Sequence, residues 1–368
     1  MVVAGTRPEA IKVAPLILEL RSDPRFDCVV VDAGQHPTAT AEALSRFGIT
    51  ADTTLSLQRA TGTLPELGSL VLVRVEEALE RHRPDVLVVQ GDTATALVAG
   101  LAAHWQRIAV VHLEAGLRTG DRANPFPEEM HRRSLAALAD LHLAPTALAK
   151  KALLAEGVDP DSIVVTGNTV VDALHLQGVT PAGEDERRRG HVLVTVHRRE
   201  SWGQGIADVL TGLVKAIESV PGASATVIAH PNPEVARQVH AALDDRDDVR
   251  VLEPQPYDAL LDLIRTADVI LTDSGGIQEE APTVGIPVLV ARVATERREA
   301  IDAGAAELVG TDASLIEERL VTLLTDESAR EKMAPRSNPY GDGRGAARST
   351  AAIAMLLGMG DHPDEFDG

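Results

Sequence analysis

Short uninterrupted runs of β-branched and aliphatic residues alternate with longer stretches of helical period along the chain, and this alternation constrains the fold more than any other feature. Val2-Ala4, Cys28-Asp32, Val86-Gln90, Ala109-His112 and Ile163-Thr166 read as strands, each followed by a polar or glycine-containing turn and a helix-like segment. Continuous apolar strands separated by helices belong in a parallel sheet covered on both faces. The pattern pauses over residues 178–190, whose Gly, Pro and charge content is that of an exposed connection. It restarts with Val192-Val196, Ala225-Ala229, Val249-Leu252, Val269-Thr272 and Val288-Val290. The sequence therefore predicts an α/β protein of two doubly wound, Rossmann-like domains facing across a cleft, with ligands outside the carboxyl ends of the strands. The first domain is expected over residues 1–167 and the second over 168–345. The last helix-like stretch, Ala346-Leu357, is expected to pack back on the first domain together with the residues up to 368. The tail from Gly358 reads as short, acidic and frayed.

A chain of 368 residues is long enough for two domains at roughly 150 residues each. Its 44% apolar content fills two cores, yet only 4 Phe, 2 Tyr and 2 Trp are present, so those cores must be aliphatic. With 35 Lys+Arg against 55 Asp+Glu, the formal charge of −20 argues against nucleic acid or anionic lipid as a partner held by bulk charge. Any phosphate group must instead meet a local cluster of cations or a helix N-terminus. The single cysteine, Cys28, excludes an internal disulfide framework and a multi-cysteine metal site. There is no basic segment followed by a long apolar stretch at Met1-Arg7 and no run of eighteen apolar residues elsewhere, so the expectation is a cytoplasmic protein without a membrane segment.

Polar and charged residues collect immediately after the expected strands. Gly5-Thr6-Arg7-Pro8-Glu9 follows the first strand and opens a helix carrying Lys12. The glycine permits a tight turn, Pro8 suits a first helical turn, and the N–H groups beside Arg7 would accept an anion. Gln90-Gly91-Asp92-Thr93 and His112-Leu113-Glu114-Ala115-Gly116 each put one carboxylate at a strand end. Asp92 alone is as readily a helix N-cap; Glu114 is harder to read so, because glycine rather than a helical run follows. Pro127-Glu128-Glu129 begins another helix, where the two acids complement the helix dipole, the reading preferred for Glu129. A third carboxylate near the same strand ends would let neighbouring acids separate into acid and base roles.

In the second half, His197-Arg198-Arg199-Glu200 follows one strand, and Asp273-Ser274-Gly275-Gly276 follows another just before a helical stretch. Ser274, Gly275 and Gly276 could bring backbone N–H groups against a diphosphate. Glu280, one turn further, either accepts from ribose hydroxyls or faces water. His230 ends another strand; a lone histidine there is more often structural, and it is carried here as a substrate-binding candidate. Reactive residues at five separate strand ends are hard to dismiss together.

With Gly167-Asn168-Thr169 and Asn338-Pro339-Tyr340-Gly341-Asp342-Gly343 added, this motif set resembles the non-hydrolysing UDP-N-acetylglucosamine 2-epimerases, from the first strand to the last helix. The resemblance implies a glycosyltransferase-B-like pair of Rossmann domains, in a homodimer, interconverting UDP-GlcNAc and UDP-ManNAc with neither NAD nor an essential metal. It implies elimination of UDP to a 2-acetamidoglucal, then re-addition of UDP after C2 is reprotonated on the opposite face. By the same resemblance Asp92, Glu114 and Glu128 match catalytic carboxylates, without division into acid and base, and His197 matches a histidine that serves the diphosphate and the elimination. Arg7, Lys12, Gln255, Ser274, Gly275, Gly276, Glu280 and Arg297 match positions that bind the UDP part; Gln255 and Arg297 enter through the resemblance alone.

The chain departs from the family pattern at several places. Gln35-His36-Pro37-Thr38-Ala39-Thr40 stands where Gln-His-x-x-Met-Leu is usual, and Leu70 where arginine is common. Bacterial members are often activated by a second UDP-GlcNAc near these elements, so weak or absent activation is expected here. His131 replaces an asparagine, Ile228 a proline, and the 292–299 loop lacks its usual Asp and Pro, which leaves room for a different 2-acetamido sugar. Competing readings are a UDP-sugar glycosyltransferase of the same fold, a hydrolysing 2-epimerase and a UDP-sugar sensor; four retained acid–base residues argue against the sensor.

Overall fold

The computed structural model describes residues 1–35, 38–183, 185–197, 202–230, 232–334 and 337–367. His36 and Pro37, and Arg198 to Glu200, which belong to motifs quoted above, lie outside the described residues.

The chain forms two compact units, Met1–Gln177 with Tyr340–Gly368, and Gly178–Pro339. In the first, β1 (Val2–Ala4), α1 (Arg7–Ser22), β2 (Val30–Asp32), α2 (Ala39–Ser45), β3 (Thr53–Thr54), α3 (Leu64–His82) and β4 (Val86–Gln90) are followed by α4 (Ala94–Trp105) and β5 (Ala109–Leu113). Then come α5 (Glu128–Leu138), β6 (Leu141–Ala144), α6 (Ala147–Ala155), β7 (Ile163–Val165) and α7 (Thr169–Leu176). The second unit opens with β8 (His191–Thr195), α8 (Gln204–Ser219), β9 (Ser224–Ile228), α9 (Pro233–Leu243), β10 (Val249–Leu252), α10 (Tyr257–Thr266) and β11 (Val269–Thr272). It continues through α11 (Gly275–Glu280), β12 (Val288–Val290), α12 (Arg298–Asp302), β13 (Ala306–Leu308), α13 (Ala313–Thr325) and α14 (Glu327–Met333). The last helix, α15 (Gly345–Leu356), returns to the first unit.

Both sheets are parallel, and both have the strand order of a doubly wound nucleotide-binding fold: β3-β2-β1-β4-β5-β6-β7 and β10-β9-β8-β11-β12-β13. In each, the chain direction across the sheet reverses between two central neighbours, β1 and β4 in one and β8 and β11 in the other. The loops leaving those strands are thereby opened to a ligand. The cores are aliphatic, as the composition requires: Val3, Val31, Leu67, Val71, Leu87, Val89 and Leu135 in one unit, Val192, Val194, Leu213, Leu271, Leu289 and Ile316 in the other. Helices α8 and α13 approach so closely that a Cβ on Gly212 would lie 2.6 Å from the carbonyl oxygen of Ala313. Among the described residues no helix is long and apolar enough to cross a membrane.

Three strands were not expected from sequence: β3, β6 and β13. The units part at 177/178 and 339/340, and α7 lies in the first unit rather than the second. The Thr169 hydroxyl donates to the Lys12 carbonyl of α1 at 2.6 Å, and the buried Asp172 carboxylate accepts the first N–H groups of α15, from Gly345 and Ala346. The frayed tail is corrected as well. The Phe366 amide donates to the Val165 carbonyl at 2.9 Å, Glu365 accepts from Lys150 and from the Val165 amide, and the Arg348 guanidinium sits over the Phe366 ring.

His112 and His142 are register partners on β5 and β6, both buried. Burial depresses their pKa values to about 3 and about 4. A histidine depressed in the folded state is neutral there while the unfolded chain takes up a proton, so its contribution to stability is full above about pH 6.5 and falls as pH drops below it. Each contributes a slope of about 1.4 kcal/mol per pH unit between the two pKa values. Chemical denaturation from pH 7 to pH 5 should therefore show a shallower acid loss in His142→Leu than in the wild type; equal slopes would remove His142 from the acid response.

Candidate active site

The first unit gathers its charged residues around the β1/β4 reversal. After β1, a Cβ at Gly5 would stand 2.8 Å from the Thr95 hydroxyl, so only glycine fits. Thr6 caps α1, with Pro8 in its first turn, as the sequence indicates. Arg7 is exposed at the first helical position, whereas Lys12, one turn on, is buried.

After β4, Gly91 takes a left-handed φ of +69°, and the Asp92 carboxylate that follows is bonded by Arg132 of α5. The N-cap of α4 is Thr93, not Asp92; its hydroxyl accepts from the Ala96 amide and donates to Glu9 of α1 at 2.7 Å. The loop backbone is gripped twice more. His112 donates through Nε2 to the Gly91 carbonyl at 2.7 Å, and His131 through Nδ1 to the Asp92 carbonyl at 2.8 Å.

After β5, Glu114 sits at φ +66°, a conformation that side-chain-bearing residues adopt at a cost of about 1–2 kcal/mol. Its carboxylate is buried in an ion pair with Lys12 and accepts from Asn168 Nδ2 at 3.1 Å. Gly116 follows at φ +95°, so tight against α6 that a Cβ would lie 2.4 Å from the Ala149 carbonyl oxygen. Glu128 is the first residue of α5 and half-buried. Its neighbour Glu129 is fully buried, accepting from the Thr119 and Gly120 amides and from Arg133, which ties the post-β5 loop to α5.

In the second unit, His197 follows β8, and its Nδ1 lies 3.2 Å from Asp273 Oδ1 at the end of the adjacent β11, an ion-pair distance when the ring is protonated. The other oxygen of the fully buried Asp273 accepts the His197 amide at 2.8 Å, so one carboxylate fixes the His197 backbone and stands beside its ring. His230, half-buried after β9, stacks on His197 at 6.3 Å between ring centroids, with Trp202 edge-on at 5.7 Å. Ser274, Gly275 and Gly276 form the turn into α11. The Glu280 carboxylate on that helix accepts from the Tyr257 hydroxyl at 3.0 Å. Gln255 lies in the loop after β10, its amide on the Glu253 carbonyl.

Arg297 is buried beneath the turn. Its guanidinium bonds Glu279 at 2.8 Å and also Glu296, which in turn holds Arg292 at 3.0 Å. A Cβ at Gly275 would lie 2.4 Å from the centre of that guanidinium, which explains the glycine by space rather than by backbone angle.

The structure thus groups Arg7, Lys12, Asp92, Glu114 and Glu128 in one unit and His197, His230, Gln255, Ser274, Gly275, Gly276, Glu280 and Arg297 in the other. Sequence reasoning had not assigned Glu9, His112, Arg132, Asn168, Tyr257, Asp273 or Glu279 to the site. Each acts across a sequence separation that no local pattern reports, although Glu9, His112, Asn168 and Asp273 stand inside motifs already quoted.

Two Rossmann-like units with acidic strand ends in one and a glycine turn braced by arginine in the other define a nucleotide-handling α/β enzyme class. The family model described as UDP-N-acetylglucosamine 2-epimerase matches residues 18–354. The UDP-N-acetylglucosamine 2-epimerase of Bacillus subtilis is 41% identical over 377 residues, covering 100% of this chain and 98% of its own. A crystal structure of UDP-GlcNAc 2-epimerase from Neisseria meningitidis bound to UDP-GlcNAc has a TM-score of 0.90 at 38% identity, covering 97% of this chain and 99% of its own. The S. aureus MnaA-UDP co-structure has a TM-score of 0.92 at 35% identity, covering 100% and 99%. The chain belongs to the UDP-N-acetylglucosamine 2-epimerase family of isomerases.

Lys12→Met should leave the Glu114 carboxylate buried without its cation and cost about 3–5 kcal/mol of stability. Adding Glu114→Gln should recover much of that loss. A double-mutant cycle by urea denaturation measures the coupling, and additive losses would show the pair to be energetically idle.

Proposed function

We propose that this chain interconverts UDP-N-acetylglucosamine and UDP-N-acetylmannosamine without hydrolysing them. The observation that carries the reading is Glu114, held in left-handed backbone against the buried Lys12 at one strand end, with Asp92 held by Arg132 at the next. Fixed carboxylates at the open end of a Rossmann sheet, Glu114 among them on strained backbone, suit proton transfer to a positioned carbon.

The C2 proton of the sugar is not activated by an adjacent carbonyl, so the bond from C1 to the diphosphate must weaken early. A carboxylate takes the C2 proton, the C1–C2 double bond forms, and the C1–O electron pair leaves with UDP. A proton then returns to C2 from the opposite face and the UDP oxygen adds back to C1. The steps balance with no oxidant, reductant or water consumed. Asp92, Glu114 and Glu128 carry the proton transfers. His197, its backbone fixed by Asp273, serves the departing diphosphate, whose developing charge needs fixed donors. Arg7, Lys12, His230, Gln255, Ser274, Gly275, Gly276, Glu280 and Arg297 are read as substrate-binding. Arg297 acts from beneath by holding the Gly275 turn, and Tyr257 by holding Glu280. Nucleotide-sugar chemistry and the composition together support a cytoplasmic location.

The test is proton NMR of the protein with UDP-GlcNAc in D2O. UDP-ManNAc carrying deuterium at C2 is the expected product, whereas free N-acetylmannosamine with UDP would replace the reading by hydrolysis. Asp92→Asn should lower turnover by about 10²–10⁴-fold with UDP affinity retained; unchanged turnover would take Asp92 out of the mechanism. The departures at positions 35–40 and 70 support weak or absent substrate activation. Initial rate against UDP-GlcNAc should then be hyperbolic, and a sigmoidal curve would show that activation persists.

A further inference from the structure

Glu9 is 1% exposed, yet neither acid–base chemistry nor ordinary helix capping accounts for its place. Its Oε2 accepts the Gly5 amide at 3.2 Å, in the turn that leads to Arg7, and its Oε1 accepts the Thr93 hydroxyl beside Asp92. One buried carboxylate therefore bridges the turn read above as suited to an anion and the loop that carries a catalytic carboxylate.

We propose that Glu9 is a proton-linked positioning residue: anion binding at the Gly5–Arg7 turn draws the Glu9 carboxylate toward its protonated form, with net uptake of a fraction of a proton from solvent. This rests on the reading of Arg7 as a residue that binds the UDP part of the substrate. A diphosphate approaching the turn brings negative charge toward a carboxylate in a poorly solvated site, and the two charges repel strongly there. Removing the Glu9 charge relieves that repulsion without dismantling the bridge. A neutral carboxyl still accepts from Gly5 through one oxygen and can donate through the other to Thr93, whose hydroxyl rotates to receive it. No substrate bond is touched; the proton comes from bulk solvent and returns there on release.

The surroundings favour this behaviour. Burial, the largest influence, pushes the Glu9 carboxyl up to about 7 against its hydrogen bonds from Thr93, Thr6 and Gly5, and the charge of Asp92 raises it further. Asp92 on the β4–α4 loop, bonded by Arg132 of α5, is the titratable neighbour on a packed element whose charge reaches Glu9. Arg7, Lys12 and, in its last turn, Arg21 are the cations on its own helix. The group thus stands near half-ionised at neutral pH, where a small added field moves its proton most.

The experiment is calorimetric titration of wild type and Glu9→Gln with UDP at pH 7 and pH 9, in buffers of different ionisation enthalpy. UDP's own phosphate titrates equally in both proteins, so their difference isolates Glu9. The wild type should take up a few tenths of a proton more per UDP than the variant at pH 7, with the difference vanishing by pH 9. Its affinity relative to the variant should fall by up to about tenfold over that range. A second measurement needs no variant: infrared difference spectra of the wild type on adding UDP should gain the carbonyl band of a protonated carboxyl. Equal proton counts in the two proteins, or no such band, would overturn the inference while leaving the site assignment intact. No binding of UDP at any pH would overturn both.

Discussion

A lysine ammonium buried against a glutamate carboxylate organises the first unit. Lys12 comes from α1, Glu114 from the end of β5, and Asn168, which also donates to that carboxylate, from the cap of α7. Taking two ions out of water costs several kcal/mol each unless they meet with the remaining donors and acceptors in place. The three elements must therefore arrive in one arrangement, and the Thr169 hydroxyl on the Lys12 carbonyl closes it. A well-packed apolar trio would serve stability as well or better. What it could not supply is a carboxylate at the open end of the sheet.

The two units apply one topology to different chemistry. Each leaves an opening where its strand order reverses, at β1/β4 and at β8/β11. In the first, a buried lysine, an arginine and two histidines hold carboxylates and the backbone behind them. In the second, carboxylates hold basic residues: Asp273 fixes the His197 backbone and stands beside its ring, and Glu279 and Glu296 clasp Arg297 under the Gly275 turn. The overall charge of −20 thus says little about anion binding, which depends on how these few cations are placed.

Much of the architecture was legible because buried parallel strands are continuous apolar runs. Val2–Ala4, Val86–Gln90, Val249–Leu252, Val269–Thr272 and Val288–Val290 occupy the residues their pattern indicates. The strands that escaped lack that signature. Thr53–Thr54 is a two-residue edge, Leu141–Ala144 contains a histidine, and Ala306–Leu308 is an edge strand with a central glutamate. The tail looked frayed because its acids suggested solvent, whereas Glu365 and Phe366 have partners two hundred residues away. In the site, Asp92 and Glu114 were visible as carboxylates where a strand stops. Their supports were not: Arg132 reaches Asp92 across forty residues, and His112 reaches Gly91 from a neighbouring strand, contacts that only the folded chain creates.

Glu114's left-handed backbone bears on how this protein responds to selection. Glycine at 114 would relax that backbone and asparagine would tolerate it better, yet either would leave the buried Lys12 ammonium without its anion. A library screened for heat resistance alone therefore gains nothing from a single change at 114 and has a downhill path only by replacing Lys12 and Glu114 together with packed uncharged residues. Robustness and chemistry are thus set against each other at the Lys12–Glu114 pair as a unit, not at either residue alone.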